Sequence, residues 1–129
     1  MTATSRAANI LLEEKEVLAT AITEAHYAEQ PELMAKYGVA GRRRCHEDVR
    51  YTLEHLIPAL DLGEPSMFAD YVRWLDQLLR ARAVDTSDLV RSLEITEEVT
   101  RQRLPNDEAE AVAEVVKAGL SVLATPGAA

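Results

Sequence analysis

The sequence has few of the residues typical of disulfide-rich, metal-binding or β-sheet proteins. Its one cysteine, Cys45, excludes an intramolecular disulfide and any multi-cysteine zinc or iron–sulfur site, so we expect a cytoplasmic location. Five glycines, five prolines and only one Trp, one Phe and four Tyr leave few turns and little sheet packing. Ala, Leu, Glu and Arg dominate instead. This composition predicts an all-α domain.

Positive charge is also scarce. Fourteen Lys and Arg against 22 Asp and Glu give a formal net charge of −8, which opposes binding to nucleic acid and to anionic membranes. No stretch approaches the roughly 20 apolar residues that span a bilayer, and the N-terminal residues lack the apolar core of a signal peptide. We therefore expect no nucleic-acid partner and no membrane partner.

Helix start and stop signals divide the chain into about six helices with short connections. The predicted helices cover about 5–28, 31–37, 41–61, 66–82, 85–103 and 105–123. Gly38 closes the second helix and Ser66 is predicted to cap the fourth. Pro58 predicts a kink or an early end of the third. No linker or repeat divides the chain, so we expect one domain over residues 1–124 and a frayed tail over 125–129.

Residues 41–56, GRRRCHEDVRYTLEHL, place several ligand-binding side-chain types on one helix face. Four of them fall within about a quarter of the circumference at about 100° per residue: Cys45, Asp48, Thr52 and His55. The adjoining apolar stripe, which must face inward, consists of Val49, Leu53, Leu56 and Leu60. Cys45 lies in the first turn of its predicted helix beside three arginines, where the helix dipole and the guanidiniums favour the thiolate. We therefore expect Cys45 to be more reactive than an isolated cysteine.

The spacing of these groups argues against catalysis and against metal binding. His55 follows Cys45 by about 15 Å along a helix, which is too far for a Cys–His catalytic pair. The same distance argues against a metal site made of Cys45, Asp48 and His55. We expect neither an enzyme nor a metal site. A ligand longer than about 10 Å could contact the whole face.

The segment CHEDVRYTLEHLIPALDLGEPSMFADYVRWL, which begins at Cys45, carries an ordered set of motif residues. The pattern is a Cys with an Asp three residues on, Tyr and Leu on the same helix, a glycine-containing turn, and Asp-Tyr on the next helix. The matching residues are Cys45, Asp48, Tyr51, Leu53, Gly63, Asp70 and Tyr71. Over about residues 37–104 the chain thereby resembles the phycobiliproteins, the globin-like proteins that carry linear tetrapyrroles.

The resemblance implies a globin-like fold and a bilin ligand such as biliverdin or phycocyanobilin. Cys45 would form a thioether to ring A of the bilin, and Asp48 would accept hydrogen bonds from the inner pyrrole nitrogens. Tyr71 would border the pocket from the following helix. The candidate binding residues are then Cys45, Asp48, Arg44, Tyr51, Thr52, His55, Tyr71 and Trp74.

Two departures from the family pattern narrow this interpretation. Glu47 stands where the family has Arg. A salt bridge to a ligand propionate would then come from Arg43, Arg44 or Arg50. The 44 residues before Cys45 are too few for the family's N-terminal helical hairpin. The chain is therefore more similar to small bilin-associated bacterial globins than to light-harvesting members, and the expected role is that of a bilin carrier or sensor.

The partners that this resemblance implies are the tetrapyrrole, a second copy of the chain in a homodimer, and a bilin-synthesis enzyme or a cobalamin-domain protein. Two other functions stay open. A haem-binding globin-like sensor would need His55 or Cys45 as its axial ligand, because no histidine follows His55. A ligand-free helical interaction module would leave Cys45 without a role.

Overall fold

Five α-helices make up the computed structural model, which describes residues 1–124. The helices are α1 (Ala3–Glu29), α2 (Glu32–Leu62), α3 (Pro65–Ala81), α4 (Thr86–Arg103) and α5 (Asn106–Leu123). No strand occurs among these 124 residues, so the prediction of an all-α chain is confirmed. The tail predicted to fray, 125–129, lies outside the described residues. No helix of residues 1–124 combines the length and the apolar character that a membrane crossing needs.

The structure has five helices over this range where the sequence predicts about six, because α2 continues through Gly38. Gly38 leaves helical geometry, with φ 71° and ψ −173°, and the helix resumes directly after it. A glycine without Cβ adopts this conformation at little cost, so α2 is kinked at the predicted position and consists of two helical parts on either side of Gly38. The helix also continues past Pro58 as far as Leu62, so Pro58 does not end it.

The other helix ends follow the local sequence with one correction. Gly63 ends α2 in the left-handed region, with φ 65°, as its lack of a Cβ allows. Asp85 and Pro105 immediately precede α4 and α5. The predicted cap at Ser66 is wrong, because α3 starts one residue earlier, at Pro65. Proline is tolerated at the first position of a helix because the backbone N–H there has no partner within the helix.

The core forms where the helices bury their apolar faces, with α1 against α2, α3 against α5, and α5 in contact with all four other helices. The largest fully buried side chains include Leu18, Ile22, Leu53, Leu56, Leu60, Phe68, Val72, Leu93, Val112 and Val116. The predicted apolar stripe of α2 is thus buried. This packing places the adjoining face of α2, which carries most of the candidate site residues, beside α3.

Candidate functional site

A groove of about 780 Å³ runs between α2 and α3. Its α2 wall and its α3 wall carry both aromatic and charged side chains, and we call it the α2–α3 groove. The residues that define it are Arg44, Glu47, Asp48, Tyr51, His55, Met67, Asp70, Tyr71, Trp74, Leu75, Leu78 and Arg82. Six of the eight predicted site residues therefore lie together in one groove.

Stacked rings line one part of the groove. The His55 ring lies on the Tyr71 ring with centroids 4.0 Å apart and planes 11° from parallel. The Tyr71 and Trp74 rings follow at 6.0 Å with a 37° tilt. Trp74 is 56% exposed, whereas a helix-face pattern with Tyr71 and Leu75 would place it in the core. Tyr71 is buried beneath the His55 ring, so the rings that the groove exposes are those of Tyr51, His55 and Trp74.

Hydrogen bonds through Thr52 fix the position of the Tyr71 ring. The Thr52 hydroxyl donates to the Asp48 carbonyl oxygen at 2.8 Å, so it accepts from the Tyr71 hydroxyl, 3.2 Å away. Burial raises the pKa of Tyr71 to about 12, which keeps the phenol protonated and able to donate. Thr52 thus positions Tyr71 from beneath the groove.

The tautomer of His55 follows from a second hydrogen bond. Its Nδ1 lies 2.8 Å from the Tyr51 carbonyl oxygen, which can only accept, so Nδ1 carries the proton. In the neutral ring Nε2 is then the acceptor. His55 thus lines the groove with its ring oriented by this hydrogen bond and by the stacking on Tyr71.

Charged groups meet at the end of the groove near Asp48. Burial raises the pKa of this half-buried carboxyl, and the nearby guanidiniums of Arg82 and Arg44 act in the opposite direction. Neither arginine takes part in any of the salt bridges of residues 1–124. Both are exposed and available to pair with an anionic group of a ligand.

Cys45 does not line this groove. It lines a separate, smaller cavity of about 140 Å³ that lies between α1, α2, α4 and the end of α3. Burial is the main cause that raises the pKa of its thiol, to about 11, and Asp48 adds to the effect. The predicted reactive thiolate is therefore wrong. Its premise fails as well, because α2 starts at Glu32 and Cys45 is not in the first turn.

The small cavity is also lined by a histidine that is not among the candidate residues. His26 of α1 is only 4% exposed, and neither of its ring nitrogens has a hydrogen-bond partner within residues 1–124. Burial lowers its pKa, more strongly than Asp88 and Glu29 raise it. We call this space the His26 cavity. The signal that could have found it is spacing, because His26 follows the core residue Ile22 by four positions.

The cavity and the groove are neighbours. Arg44, Asp48, Leu75 and Arg82 line both. Of the predicted site residues, Tyr51, His55, Tyr71 and Trp74 line the groove alone, whereas Cys45 and Thr52 line the cavity alone. The structure thus divides the predicted site into two adjoining compartments that share Arg44 and Asp48.

Neither compartment contains a cluster typical of a metal site. No group of three or more His, Cys, Asp or Glu side chains within residues 1–124 is arranged to hold a metal ion. No protein-family model matches the chain, and no curated protein matches it. The geometry of the two compartments is therefore the basis for assigning a function.

Proposed function

We propose that the protein is a carrier or sensor that binds a linear tetrapyrrole noncovalently in the α2–α3 groove, with its helices in a globin-like packing. The observation that carries the proposal is the row of His55, Tyr71 and Trp74 rings next to the unpaired cations Arg44 and Arg82. A groove of about 780 Å³ also has the size of typical small-molecule sites, which run from about 300 to 1,000 Å³. The resemblance of Cys45–Leu75 to the phycobiliprotein chromophore region supports the same ligand class.

The chemistry of the groove matches the parts of a linear tetrapyrrole one by one. The conjugated rings would stack on the aromatic side chains. The pyrrole N–H groups would donate to the Asp48 carboxylate, and the propionates would pair with Arg44 and Arg82. When bound, the ligand supplies absorption of visible light.

Noncovalent binding is favoured over a thioether at Cys45. The thiol lies in the His26 cavity rather than in the groove, and a pKa of about 11 leaves it almost fully protonated near neutral pH. The thiolate is the nucleophilic form of cysteine. A bound bilin should therefore separate from the chain on a denaturing gel. A zinc-fluorescent band that survives denaturation and disappears in Cys45→Ser would contradict noncovalent binding.

Titration with biliverdin tests the proposal directly. Trp74 is the chain's one tryptophan and lines the groove, so all tryptophan fluorescence reports on the site. We expect saturable quenching of Trp74 together with a red-shifted and strengthened biliverdin band. The absence of both changes at 100-fold excess of biliverdin over micromolar protein would overturn the proposal.

A matched pair of arginine variants shows whether the groove is the site. Arg82 lines the groove, whereas Arg80 pairs with Asp76 and does not line it. Arg82→Ala should weaken biliverdin binding about tenfold, since a charge-assisted hydrogen bond is worth about 1.5 kcal/mol or more. Arg80→Ala should bind like the wild type. Equal affinities for the two variants would place the ligand elsewhere.

Haem is the second candidate, and one observation favours it. Metal-ligating histidines usually donate their other ring N–H to a carbonyl or carboxylate, as His55 does to Tyr51. A Soret band that forms on adding haemin and is lost in His55→Gln would assign haem in place of a bilin. A protein that binds neither pigment would instead be a ligand-free interaction module.

A further inference from the structure

The inner wall of the His26 cavity is apolar. Five leucine and valine side chains line the cavity without reaching the α2–α3 groove: Leu33, Val49, Leu79, Val84 and Leu89. The rings of Tyr27 and Tyr37 add aromatic carbon. Both ring nitrogens of His26 are buried within the surrounding packing, so this side chain offers an occupant only carbon atoms. The inner wall therefore favours an uncharged, apolar molecule.

Charged side chains stand where the cavity meets the groove. Arg44, Asp48 and Arg82 line both compartments, and the two arginines are exposed. In the proposed function these three groups bind the ligand of the groove. An occupant of the inner part of the cavity therefore needs none of them.

Two hydroxyl groups of the cavity lining already have partners within the protein. The Tyr37 hydroxyl donates to Asp88 Oδ2 at 3.2 Å, and the Thr52 hydroxyl donates to the Asp48 carbonyl oxygen at 2.8 Å. The Cys45 thiol, whose pKa burial raises to about 11, is neutral near neutral pH. An apolar occupant therefore breaks neither hydrogen bond and meets no thiolate.

The size of the cavity selects the size of the occupant. Its volume of about 140 Å³ is close to the roughly 150 Å³ of an engineered apolar cavity in another protein that stays free of water and binds benzene. Side chains around an unfilled apolar space lack van der Waals partners on one side, so a molecule that fills the space gains those contacts. The volume is also below the roughly 300 Å³ at which typical sites for drug-sized ligands begin. One six-membered ring fits.

We propose that the His26 cavity is a second ligand site, which binds a small, uncharged monocyclic aromatic molecule such as benzene or toluene. The Tyr27 and Tyr37 rings favour an aromatic over a saturated ring, because aromatic pairs gain from edge-to-face and offset contacts. This site does not depend on what the groove binds, since the five leucine and valine residues of the inner wall belong to the cavity alone.

Titration with benzene tests the site through the methyl ¹H–¹³C resonances of leucine and valine. We expect saturable shifts at millimolar benzene for the five residues of the inner wall, because an aromatic ring shifts the resonances of methyl groups that it contacts. The methyl groups of Leu11 and Val116, which are buried in the core outside the cavity, should stay unchanged. The indole N–H of Trp74 in the groove should stay unchanged as well. Pyridine at pH 8, a ring of the same size with a polar nitrogen, should bind at least tenfold more weakly.

A matched pair of valine variants locates the bound ring. Val84→Phe adds a ring to the half-buried wall of the cavity and should abolish the benzene shifts by filling the space. Val39→Phe changes a residue that is 69% exposed and lies outside both compartments, so it should bind benzene like the wild type. Cys45→Leu fills the cavity with a smaller side chain and should weaken benzene binding at least tenfold, which keeps the test valid where Val84→Phe does not fold.

The outcomes separate this inference from the proposed function. Inner-wall methyl resonances that stay unchanged up to the solubility limit of benzene overturn the inference, even where biliverdin still quenches Trp74. Shifts of the Trp74 indole without shifts of the inner wall place benzene in the groove and overturn it too. Pyridine binding as tight as that of benzene contradicts the apolar ligand class. Unchanged benzene binding in Val84→Phe and Cys45→Leu contradicts the location.

Discussion

His26 and Cys45 show how strongly burial decides the properties of a single side chain in this protein. Local sequence predicts a reactive thiolate at Cys45 and gives no role to His26. The structure buries His26 and partly buries Cys45, and this burial lowers the pKa of His26 and raises that of Cys45, which favours the neutral form of each. These outcomes depend on how α1 and α2 pack against each other, which the residues next to Cys45 in the sequence do not encode.

Stability should depend on pH through His26. Its pKa in the folded state is lowered by burial, while the unfolded chain takes up a proton near pH 6.5. Unfolding therefore takes up a proton below that pH, and the free energy of unfolding falls as the pH drops, by at most about 1.4 kcal/mol per unit. The loss is absent above pH 6.5 and complete below the folded-state pKa.

Urea denaturation at pH 7.0, 6.0 and 5.5 measures this dependence. His26→Leu should remove most of the decline in the urea midpoint between pH 7.0 and 5.5, because the variant has no buried ring to protonate. His46→Gln, which changes a histidine outside both compartments, should keep the wild-type slope. If all three proteins decline equally, His26 does not control the acid stability.

Asp48 should set the colour of a bound bilin. A half-buried carboxylate next to pyrrole N–H groups stabilises the protonated chromophore, because charge pairing is stronger where water is partly excluded. Asp48→Asn should therefore weaken or blue-shift the biliverdin band between pH 6 and 9 while far-UV circular dichroism stays unchanged. Asp61→Asn, an exposed change on the same helix, is the control. Identical spectra for the Asp48 variant and the wild type at full occupancy would remove Asp48 from the site.

Most helix boundaries can be predicted from the sequence, because glycine and proline residues stand at several helix ends. Gly63 marks an end and Pro105 a start because each has a backbone property that the neighbouring helix residues lack. Gly38 marks an interruption for the same reason, and helix resumes directly after it, slightly before the predicted start near residue 41. Which helices pair, and that α5 contacts every other helix, depends on side-chain fit between distant segments.

Gly119 illustrates such a fit between two helices. A Cβ at this position of α5 would lie 2.7 Å from Phe68 Cε2 and 2.9 Å from Val72 Cγ2 of α3. Gly119→Ala gains about 1 kcal/mol of helix propensity but forces α3 and α5 apart, and overpacking typically costs about 1–3 kcal/mol. We expect a net loss of stability in urea denaturation. Lys117→Ala, an exposed change on α5, should be neutral, and a Gly119→Ala protein as stable as the wild type would show that the two helices are not in close contact.

At the scale of the whole molecule, the two compartments exist only when four helices are packed. The His26 cavity needs α1, α2, α3 and α4, and the groove needs α2 and α3. The sequence identified the α2 face that both share, since helical spacing brings Arg44, Asp48 and His55 to one side. It did not reveal the cavity, because residues from α1 and α4 close it and their contribution follows from tertiary packing.

Ligand binding and unfolding should therefore be linked. A ligand that binds only the folded chain stabilises it by about 2.7 kcal/mol at 100 times its dissociation constant, which for a domain of this size raises Tm by about 10 °C. Biliverdin at that concentration should produce this shift in the wild type and in Arg80→Ala, measured by circular dichroism at 222 nm. Arg82→Ala, with tenfold weaker binding, should gain only about 1.4 kcal/mol, or roughly half the shift. An equal shift in both arginine variants would mean that biliverdin stabilises the chain from a site other than the α2–α3 groove.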